Sequence, residues 1–324
     1  MANTKLEDKY SWEELGEIVY NRICESKFLT KINKNDFLKW FDEREKVGWR
    51  FDWRLVARAY AISQQLNNQG DHFTVIVGGE GSGKSTLGEQ FCSWIAPDME
   101  IKDVVFDIGV YIRRLRDIAK EYKKVKKNRS LQIDEGGISL FSREALSTSN
   151  RVLAKTFMAQ RFLNVHVSIC IPHYWSLDPL IRNHRINTLI IIKKRGKYKV
   201  ISGKGIKIFN KVGTKDKTRS LLTIAVPYGY FFEGDFRKDF TDNISNEEYE
   251  DHKFNHIKGF LDDAQTEAST LKMIKLNKVE NELGLARQTL INYINNGTIE
   301  GKKIGSQWFI TQKAYEKLLN IGDK

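Results

Sequence analysis

A glycine-rich loop between an apolar run and a helical pattern constrains this chain more than any other feature. Residues 73–77 are apolar or β-branched, the next eight are Gly-Gly-Glu-Gly-Ser-Gly-Lys-Ser, and a helix-forming pattern follows. This order of strand, loop and helix fits the G-x-x-x-x-G-K-[ST] phosphate-binding pattern. Glycines let backbone N–H groups turn toward a phosphate, and the helix N-terminus adds favourable partial charge. The sequence therefore predicts a nucleotide site, with ATP as the ligand.

Two side chains of the loop add specific chemistry. We expect Lys84 to neutralise the β- and γ-phosphates and the Ser85 hydroxyl to ligate Mg²⁺. The predicted nucleotide-binding residues are Gly78, Gly79, Glu80, Gly81, Ser82, Gly83, Lys84, Ser85 and Thr86.

A second short segment predicts the acidic half of the site. The strand-like residues 130–134 end in Asp134, and Glu135 follows directly. We expect Asp134 to hold the Mg²⁺ shell through water and Glu135 to polarise the attacking water. A base directed at water favours a hydrolase over a small-molecule kinase, which transfers phosphate to a substrate hydroxyl. The alternative is that Glu135 only caps the following loop.

Two further catalytic positions are predicted near the next strand. His173 follows the strand-like residues 166–172 and is the candidate sensor of the γ-phosphate, although a plain surface histidine fits equally well. Ring motors also need an arginine supplied by the neighbouring subunit. At least two of the four candidates should be ordinary surface or salt-bridge residues: Arg151, Arg161, Arg182 and Arg185.

The chain divides by pattern into four regions. Residues 1–70 predict three helices, which either cover a sheet or form a subunit interface. Residues 71–210 alternate strand and helix patterns, which indicates an α/β fold with a largely parallel sheet. Residues 211–265 predict a strand pair and a charged connecting helix, and 266–324 a small separate module.

The central region contains several element candidates. The strands are expected at 73–78, 102–106, 130–134, 166–172 and 187–192, with a ribbon near 197–209. The helices are expected at 84–95, 109–127 and 149–164.

Composition supports a globular chain with a basic surface. Of 324 residues 41% are hydrophobic, and the net charge of +12 is concentrated in residues 112–129 and 193–219. Such blocks are typical of a surface that contacts a phosphate backbone, or of a solvated lysine-rich face. The three cysteines lack metal-ligand or disulfide spacing, and the N-terminus lacks an apolar signal region, so we expect a cytoplasmic protein. The longest apolar stretches are too short for a membrane span.

Beyond the loop, the chain resembles a known group of motors. The segments LQIDEGG and NRVLAKTFMAQRFLNVHVSICIPHYWSLDPLIRNHR resemble the HerA–FtsK group of additional-strand (ASCE) P-loop ATPases, especially its zonular-occludens-toxin-like and viral packaging branches. The resemblance covers about 73–195. It implies a hexameric ring that moves DNA, with Arg161 as the trans-acting arginine. His173 stands where the group has a sensor glutamine.

The C-terminal module predicts two short helices, a hairpin-like unit and a closing helix. These lie at 277–283, 286–295, 302–310 and 311–320. The module resembles the excisionase/MerR-type winged helix-turn-helix through Leu283-Gly284, Arg287-Gln-Thr289, Tyr293-Ile294-Asn-Asn-Gly297 and Lys303-Ile-Gly305-Ser-Gln-Trp308-Phe-Ile310.

This resemblance implies binding to double-stranded DNA. The second helix would enter the major groove and the wing would contact the backbone, with Trp308 anchoring the wing in the core. The implied DNA contacts are Arg287, Gln288, Asn292, Tyr293, Lys302 and Lys303. A protein-contact role for the module also stays open, because its charge is only mildly basic.

Together these features favour an Mg²⁺-dependent ATPase acting on DNA. The leading hypothesis is an oligomeric motor for packaging, transfer or segregation of viral or plasmid DNA. Two alternatives remain: a replication initiator or helicase loader, and a nucleotide-gated DNA-binding regulator. Glu135 argues mildly against the regulator, since a switch does not need a base directed at water.

Overall fold

The computed structural model describes residues 9–29, 32–122, 128–134, 156–157, 160–215, 220–271 and 273–322. The chain forms two compact units, Met1–His252 and Lys253–Lys324. The division therefore falls within a helix, α8 (Asn246–Leu271), and the boundary drawn from sequence at 265–266 also lies inside this helix.

Three helices open the first unit, as the sequence predicts: α1 (Trp12–Ser26), α2 (Lys34–Asp42) and α3 (Trp53–Asn67). The start of α1 is fixed by a capping box. The Ser11 hydroxyl accepts from the Glu14 N–H at 3.3 Å, and the Glu14 carboxylate accepts from the Ser11 N–H at 2.7 Å. These bonds satisfy backbone donors that have no partner inside the helix.

The three helices cover the loop-bearing helix, α4 (Lys84–Ile95). Trp94 on α4 contacts the rings of Trp40, Phe41, Trp49 and Phe51 at centroid distances of 5.4–6.2 Å. Every residue of α4 from Thr86 to Ile95 is buried. The N-terminal helices thus cover α4, and their role in a subunit interface stays a prediction.

A seven-stranded sheet forms the centre of the unit, in the order β2-β3-β4-β1-β5-β6-β7. The first five strands in this order are parallel, and β6 and β7 are antiparallel to their neighbours. β4 lies between β1 and β3, and the mostly parallel sheet is compatible with a P-loop NTPase fold. The strands are β1 (His72–Val77), β2 (Val104–Val105), β3 (Arg129–Ile133), β4 (Val165–Ile171), β5 (Thr188–Lys194), β6 (Lys197–Ser202) and β7 (Phe231–Asp235).

Two element predictions after β5 are wrong. The ribbon expected near 197–209 ends at Ser202, and the next residues form helix α7 (Lys204–Gly213). Its buried residues Ile206 and Phe209 are three apart, which is helical spacing. The strand pair expected in 211–265 is also wrong. This segment contributes one strand, β7, and its pairing partner is β6, which lies before the segment.

The remaining helices of the unit are short or partly described. They are α5 (Ile108–Tyr122), α6 (Pro179–His184) and the start of α8. The helix expected at 149–164 falls largely outside the described residues. Within the described ranges, no helix combines the length and apolar character that a bilayer span requires.

The second unit contains a small antiparallel sheet packed on helices. Its strands β8 (Met273–Lys275), β9 (Gly301–Ile304) and β10 (Gln307–Thr311) pair in the order β8-β10-β9. Its helices after α8 are α9 (Leu276–Leu283), α10 (Arg287–Asn295) and α11 (Gln312–Gly322). Gly284 ends α9 at a φ of 63°, as its position in the sequence predicts. Strand β8 was not predicted.

Two buried histidines lie inside the sheet of the first unit. On β4, His166 has Nε2 2.9 Å from the Thr74 hydroxyl and Nδ1 2.6 Å from the Ser130 hydroxyl. Burial lowers the pKa of His166 from 6.5 to about 3, and it lowers the pKa of His72 in the same direction. Both imidazoles are therefore neutral in the folded protein at pH 7.

This neutral histidine predicts loss of stability in acid. Between pH 6.5 and about 3 the unfolded chain binds a proton at His166 that the folded chain does not, so stability falls as pH falls, by about 1.4 kcal/mol per pH unit. We expect His166→Gln to reduce the slope of unfolding free energy against pH by about that amount in urea unfolding between pH 6 and 4. The exposed His184→Gln is the control and should leave the slope unchanged. Equal slopes in all three proteins would contradict the assignment.

Candidate active site

The glycine-rich loop connects the buried strand β1 to the first turn of α4. Gly83, its last residue, has a φ of 90°, a conformation that side chains strongly disfavour. A Cβ at this position would lie 3.2 Å from the Phe236 ring, whereas a Cβ at Gly81, with a φ of 66°, would meet nothing within 4 Å. The loop therefore needs glycine at position 83 for both its conformation and its packing.

Donors for an anion face the loop. The N-terminus of α4 has no side-chain cap, so the first N–H groups of a buried twelve-residue helix lack that kind of partner. Lys84 Nζ donates to the Gly79 carbonyl at 2.8 Å, across the loop. Ser82 Oγ is buried and, among the described residues, has no hydrogen-bond partner. These features fit a bound phosphate.

The acidic residue expected beside the loop lies there. Asp134 is fully buried at the end of β3, and its N–H donates to the Val105 carbonyl at 2.8 Å. One of its carboxylate oxygens accepts from the Ser85 hydroxyl at 3.1 Å, although the two residues are 49 positions apart. The other accepts from the hydroxyl of Tyr249 on α8. Burial, first, and the Asp134 charge, second, raise the pKa of Tyr249, so this hydroxyl stays protonated.

The oxygen groups beside the loop fit Mg²⁺, an ion that proteins often bind together with substrate phosphates and water. The Ser85 hydroxyl is a hard oxygen ligand of the kind that Mg²⁺ prefers, and the Asp134 carboxylate could hold waters of the Mg²⁺ shell beside substrate phosphates. Among the described residues there is no group of three or more His, Cys, Asp or Glu side chains that could hold a metal by itself. A metal at Asp134 would therefore depend on the nucleotide for further ligands.

A polar layer beneath the loop fixes the first turn of α4. Gln132 Nε2 donates to the Ser85 carbonyl at 3.1 Å, and Cys170 Sγ donates to the Lys84 carbonyl at 3.4 Å. A Cβ at Gly88 would lie 2.9 Å from Cys170 Sγ, so α4 approaches the sheet closely. The sequence interpretation missed these residues. Their signal is polarity within otherwise apolar strands.

The sensor candidate lies near the loop. His173 follows β4, and its carbonyl accepts from the Ser176 hydroxyl at 2.6 Å. With Gly78, Gly79 and Trp175 it lines a cavity of about 490 Å³ at the carboxyl ends of β1, β4 and β5. This position is compatible with contact to a bound nucleotide, while the sensor role stays a prediction.

Arg161 lies at the amino ends of the parallel strands, whereas the loop lies at their carboxyl ends. It is exposed in the turn before β4, and β4 begins beside the start of β1 while the loop follows the end of β1. The length of β4 separates the amino and carboxyl ends of the strands by about 20 Å. Arg161 therefore cannot contact a nucleotide in the loop of its own chain.

Two of the other arginine candidates, Arg182 and Arg185, form contacts within their own chain. Arg182 donates to the carbonyls of Trp175 and Leu177, and Arg185 pairs with Asp71. These contacts make both arginines structural, which agrees with the expectation that at least two candidates are ordinary. Arg151 and the predicted base Glu135 lie outside the described residues.

The predicted DNA-contacting residues differ in exposure. Arg287, Gln288 and Asn292 are exposed on α10, although Arg287 donates to Asn277 Oδ1 at 2.9 Å and Gln288 to Asn292 Oδ1 at 3.2 Å. Tyr293 is half-buried and packs against the small core of the unit, as does Trp308.

The two wing lysines lie next to each other on an edge strand. Lys302 and Lys303 are exposed on β9 and pair with Phe309 and Trp308 of β10. Consecutive residues of a strand point to opposite faces, so only one of the two lysines can face a given surface.

The loop geometry predicts unequal effects of two alanine substitutions. Alanine at position 81 or 83 would be strained by about 1–2 kcal/mol from its positive φ. We expect Gly83→Ala to lower the free energy of unfolding by more than Gly81→Ala, because only position 83 also displaces the Phe236 ring. Urea unfolding of both variants measures the difference. Equal losses would show that the Phe236 contact contributes nothing.

Comparison with known proteins finds a structural similarity but no sequence match. No protein-family profile matches the chain, and no curated protein sequence matches it significantly. Among solved structures it is similar to the N-terminal domain of zonular occludens toxin from Neisseria meningitidis, with 16% identity and a TM-score of 0.27. The match covers 42% of this chain and 84% of that one. At this TM-score the description of the fold rests on the strand order alone.

Proposed function

We propose that this protein is an Mg²⁺-dependent ATPase that acts on double-stranded DNA. The observation that carries the proposal is the contact between Ser85 and Asp134 at 3.1 Å, beneath a glycine-rich loop that ends at the N-terminus of a buried helix. These residues come from separate parts of the chain, and together they offer phosphate donors beside hard metal ligands.

The proposed chemistry assigns one role to each side chain. The loop N–H groups and Lys84 hold the β- and γ-phosphates, while Ser85 and Asp134 hold Mg²⁺, which neutralises charge on the phosphate oxygens. Glu135, next to Asp134 in the chain, is the proposed base that orients the attacking water.

The position of Arg161 supports an oligomer. In the proposed mechanism an arginine stabilises charge in the transition state. Arg161 cannot reach a nucleotide in the loop of its own chain, because it lies at the amino ends of the strands and the loop at their carboxyl ends. A second copy of the chain would have to receive it. The neighbouring Phe162 is 79% exposed, which provides an apolar contact beside the arginine. We therefore propose a homo-oligomer in which Arg161 acts in trans.

DNA contact is proposed first for the second unit. Helices α9 and α10, joined at Gly284, would form the helix-turn-helix, and the β9–β10 hairpin the wing. Arg287, Gln288 and Asn292 are exposed on α10, where they could reach base edges. Half-buried Tyr293 is a weaker candidate for base contact than these three.

A second DNA contact is proposed on the ATPase unit. Lys204, Lys207 and Lys211 are exposed at positions i, i+3 and i+7 of α7, and among the described residues none of them has an ion-pair partner. The opposite face of α7 is buried in the core, so the helix has no apolar face for insertion into a lipid surface. A row of uncompensated lysines suits a phosphate backbone.

Taken together, these sites favour a motor that packages, transfers or segregates DNA. The C-terminal unit would select the DNA, and hydrolysis in an oligomer would move it. A replication initiator or a regulator would use the same residues with slower turnover, and the next experiment distinguishes these functions.

ATP hydrolysis tests the proposal directly. We expect turnover that rises with duplex length and falls by about 10²-fold or more in Glu135→Gln. The matched control is Glu25→Gln, an exposed glutamate of α1, which should keep full activity. Lys84→Ala should lose nucleotide binding. Turnover that is slow and indifferent to DNA length would favour the initiator or regulator, and absence of ATP binding by the unaltered protein would overturn the proposal.

DNA binding tests the two proposed contacts separately. Replacing Lys204, Lys207 and Lys211 by Gln should reduce the slope of log affinity against log salt by about 2.7, because three phosphate contacts are lost. Arg287→Ala should instead reduce discrimination between DNA sequences by about 1–3 kcal/mol. The matched control replaces three exposed, ion-paired lysines and should leave the slope unchanged: Lys34, Lys46 and Lys102. An unchanged slope in the α7 variant would exclude that helix as a DNA contact.

A further inference from the structure

A segment that the sequence interpretation treated as a connection crosses the whole ATPase sheet. Residues 236–252, here called the strap, follow β7 at one edge of the sheet and reach β2 at the other edge. At the far end His252 Nε2 lies 2.8 Å from the Val104 carbonyl of β2. The strap passes over α4, the helix that begins at the phosphate loop.

Buried polar contacts attach the strap to α4. The carboxylate of Glu89, fully buried on α4, accepts from the Thr241 N–H at 3.0 Å and from the Thr241 hydroxyl. Gln90 Nε2 donates to the carbonyls of Arg237 and Asp239 at 3.1 and 2.5 Å. Such contacts inside a buried interface have few alternative arrangements, so the strap has a defined position on α4.

Both ends of the strap contact the candidate active site. At its start, the Phe236 ring packs against Gly83, the last residue of the phosphate loop. Near its end, the Tyr249 hydroxyl donates to Asp134. The loop and the metal carboxylate are thus both held by one segment that comes from the far end of the ATPase unit.

The packing of Tyr249 fixes the direction of its hydroxyl. The side chain is 2% exposed, and its ring lies 4.6 Å from the Phe240 ring and 6.1 Å from the Phe106 ring. Tyr249 is therefore part of the core beneath the site and not a mobile cover over it.

The hydrogen bond to Tyr249 restricts what Asp134 can do. A carboxylate has two oxygens, and Tyr249 takes one of them while the other faces the Ser85 hydroxyl. Without the tyrosine hydroxyl, the buried carboxylate would lose one of the contacts that hold the orientation in which its other oxygen faces Ser85. Groups that orient a metal-binding residue in this way contribute strongly to metal affinity in other proteins.

We propose that Tyr249 is a positioning residue for the Mg²⁺ carboxylate: it holds one oxygen of Asp134 so that the other faces the metal beside Ser85. This inference rests on the proposed ATPase function. It assigns a role in metal binding to the strap, outside the phosphate loop and the Asp134–Glu135 pair.

The test compares two tyrosines with the same bonding. Tyr249→Phe removes only the hydroxyl and keeps the contacts with Phe240 and Phe106. Tyr198→Phe is the matched control, because Tyr198 is also fully buried and its hydroxyl donates to an aspartate at 2.8 Å. That aspartate, Asp52, caps helix α3 and is not one of the proposed metal-site residues. The measurement is calorimetric affinity for the slowly hydrolysed analogue ATPγS with Mg²⁺ and with EDTA, which gives the gain in affinity due to the metal.

We expect Mg²⁺ to increase ATPγS affinity in the unaltered protein and in Tyr198→Phe. In Tyr249→Phe the gain should be about 10-fold smaller, with affinity in EDTA unchanged, which also shows that the variant is folded. In hydrolysis, the same variant should need more Mg²⁺ to reach half-maximal rate while its rate at saturating Mg²⁺ stays close to that of the unaltered protein.

The possible results separate the two proposals. A gain in Tyr249→Phe that equals or exceeds that of the unaltered protein overturns the positioning role, and a larger gain would mean that the tyrosine competes with the metal. An unaltered protein that binds ATPγS equally with Mg²⁺ and EDTA overturns the proposed metal site itself, and with it the role of Tyr249.

Discussion

The structure of the first unit depends on the burial of one helix, α4. Its residues from Thr86 to Ile95 are buried between the sheet below and the N-terminal helices above. Because the helix is fixed on both sides, its N-terminus and the loop before it occupy one place relative to the ends of β1 and β3. A phosphate site needs this, since the N–H groups of the first turn act only at short range.

The same helix is held by polar contacts that a purely apolar core would not need. Gln132 and Cys170 bind the carbonyls of its first turn from below, and Thr241 binds Glu89 from the strap. Buried polar groups cost free energy unless they are paired, but paired groups also permit fewer alternative arrangements than apolar contacts do. The position of the loop is thus specified by hydrogen bonds as well as by packing.

Helix α8 begins beside the Asp134 carboxylate in the first unit, and in sequence it extends past the division between the two units. Its first turns carry Tyr249 against Asp134, and the same helix continues to Leu271, directly before the small sheet of the second unit. The sequence interpretation identified this segment as a charged helix and assigned it no role, because Tyr249 is one aromatic residue among charged neighbours. Only its contact with Asp134, 115 positions away, distinguishes it.

Local pattern was enough to predict the loop, the parallel strands, α4 and the elements of the second unit other than β8, because glycine positions and hydrophobic periodicity depend on neighbours in the chain. It failed at 204–213, where an amphipathic helix follows a strand and was taken as its continuation.

The sequence by itself identified the residues on which the proposed chemistry rests, since Lys84, Ser85 and Asp134 follow a recognisable order. Only the tertiary structure decided what surrounds that chemistry. It placed β4 between β1 and β3 and Arg161 at the ends of the strands away from the loop. It also placed Arg182 and Arg185 in structural contacts and the Tyr249 hydroxyl against Asp134. These arrangements join residues far apart in the chain, and such pairings depend on packing and strand order, which leave no local periodic signal.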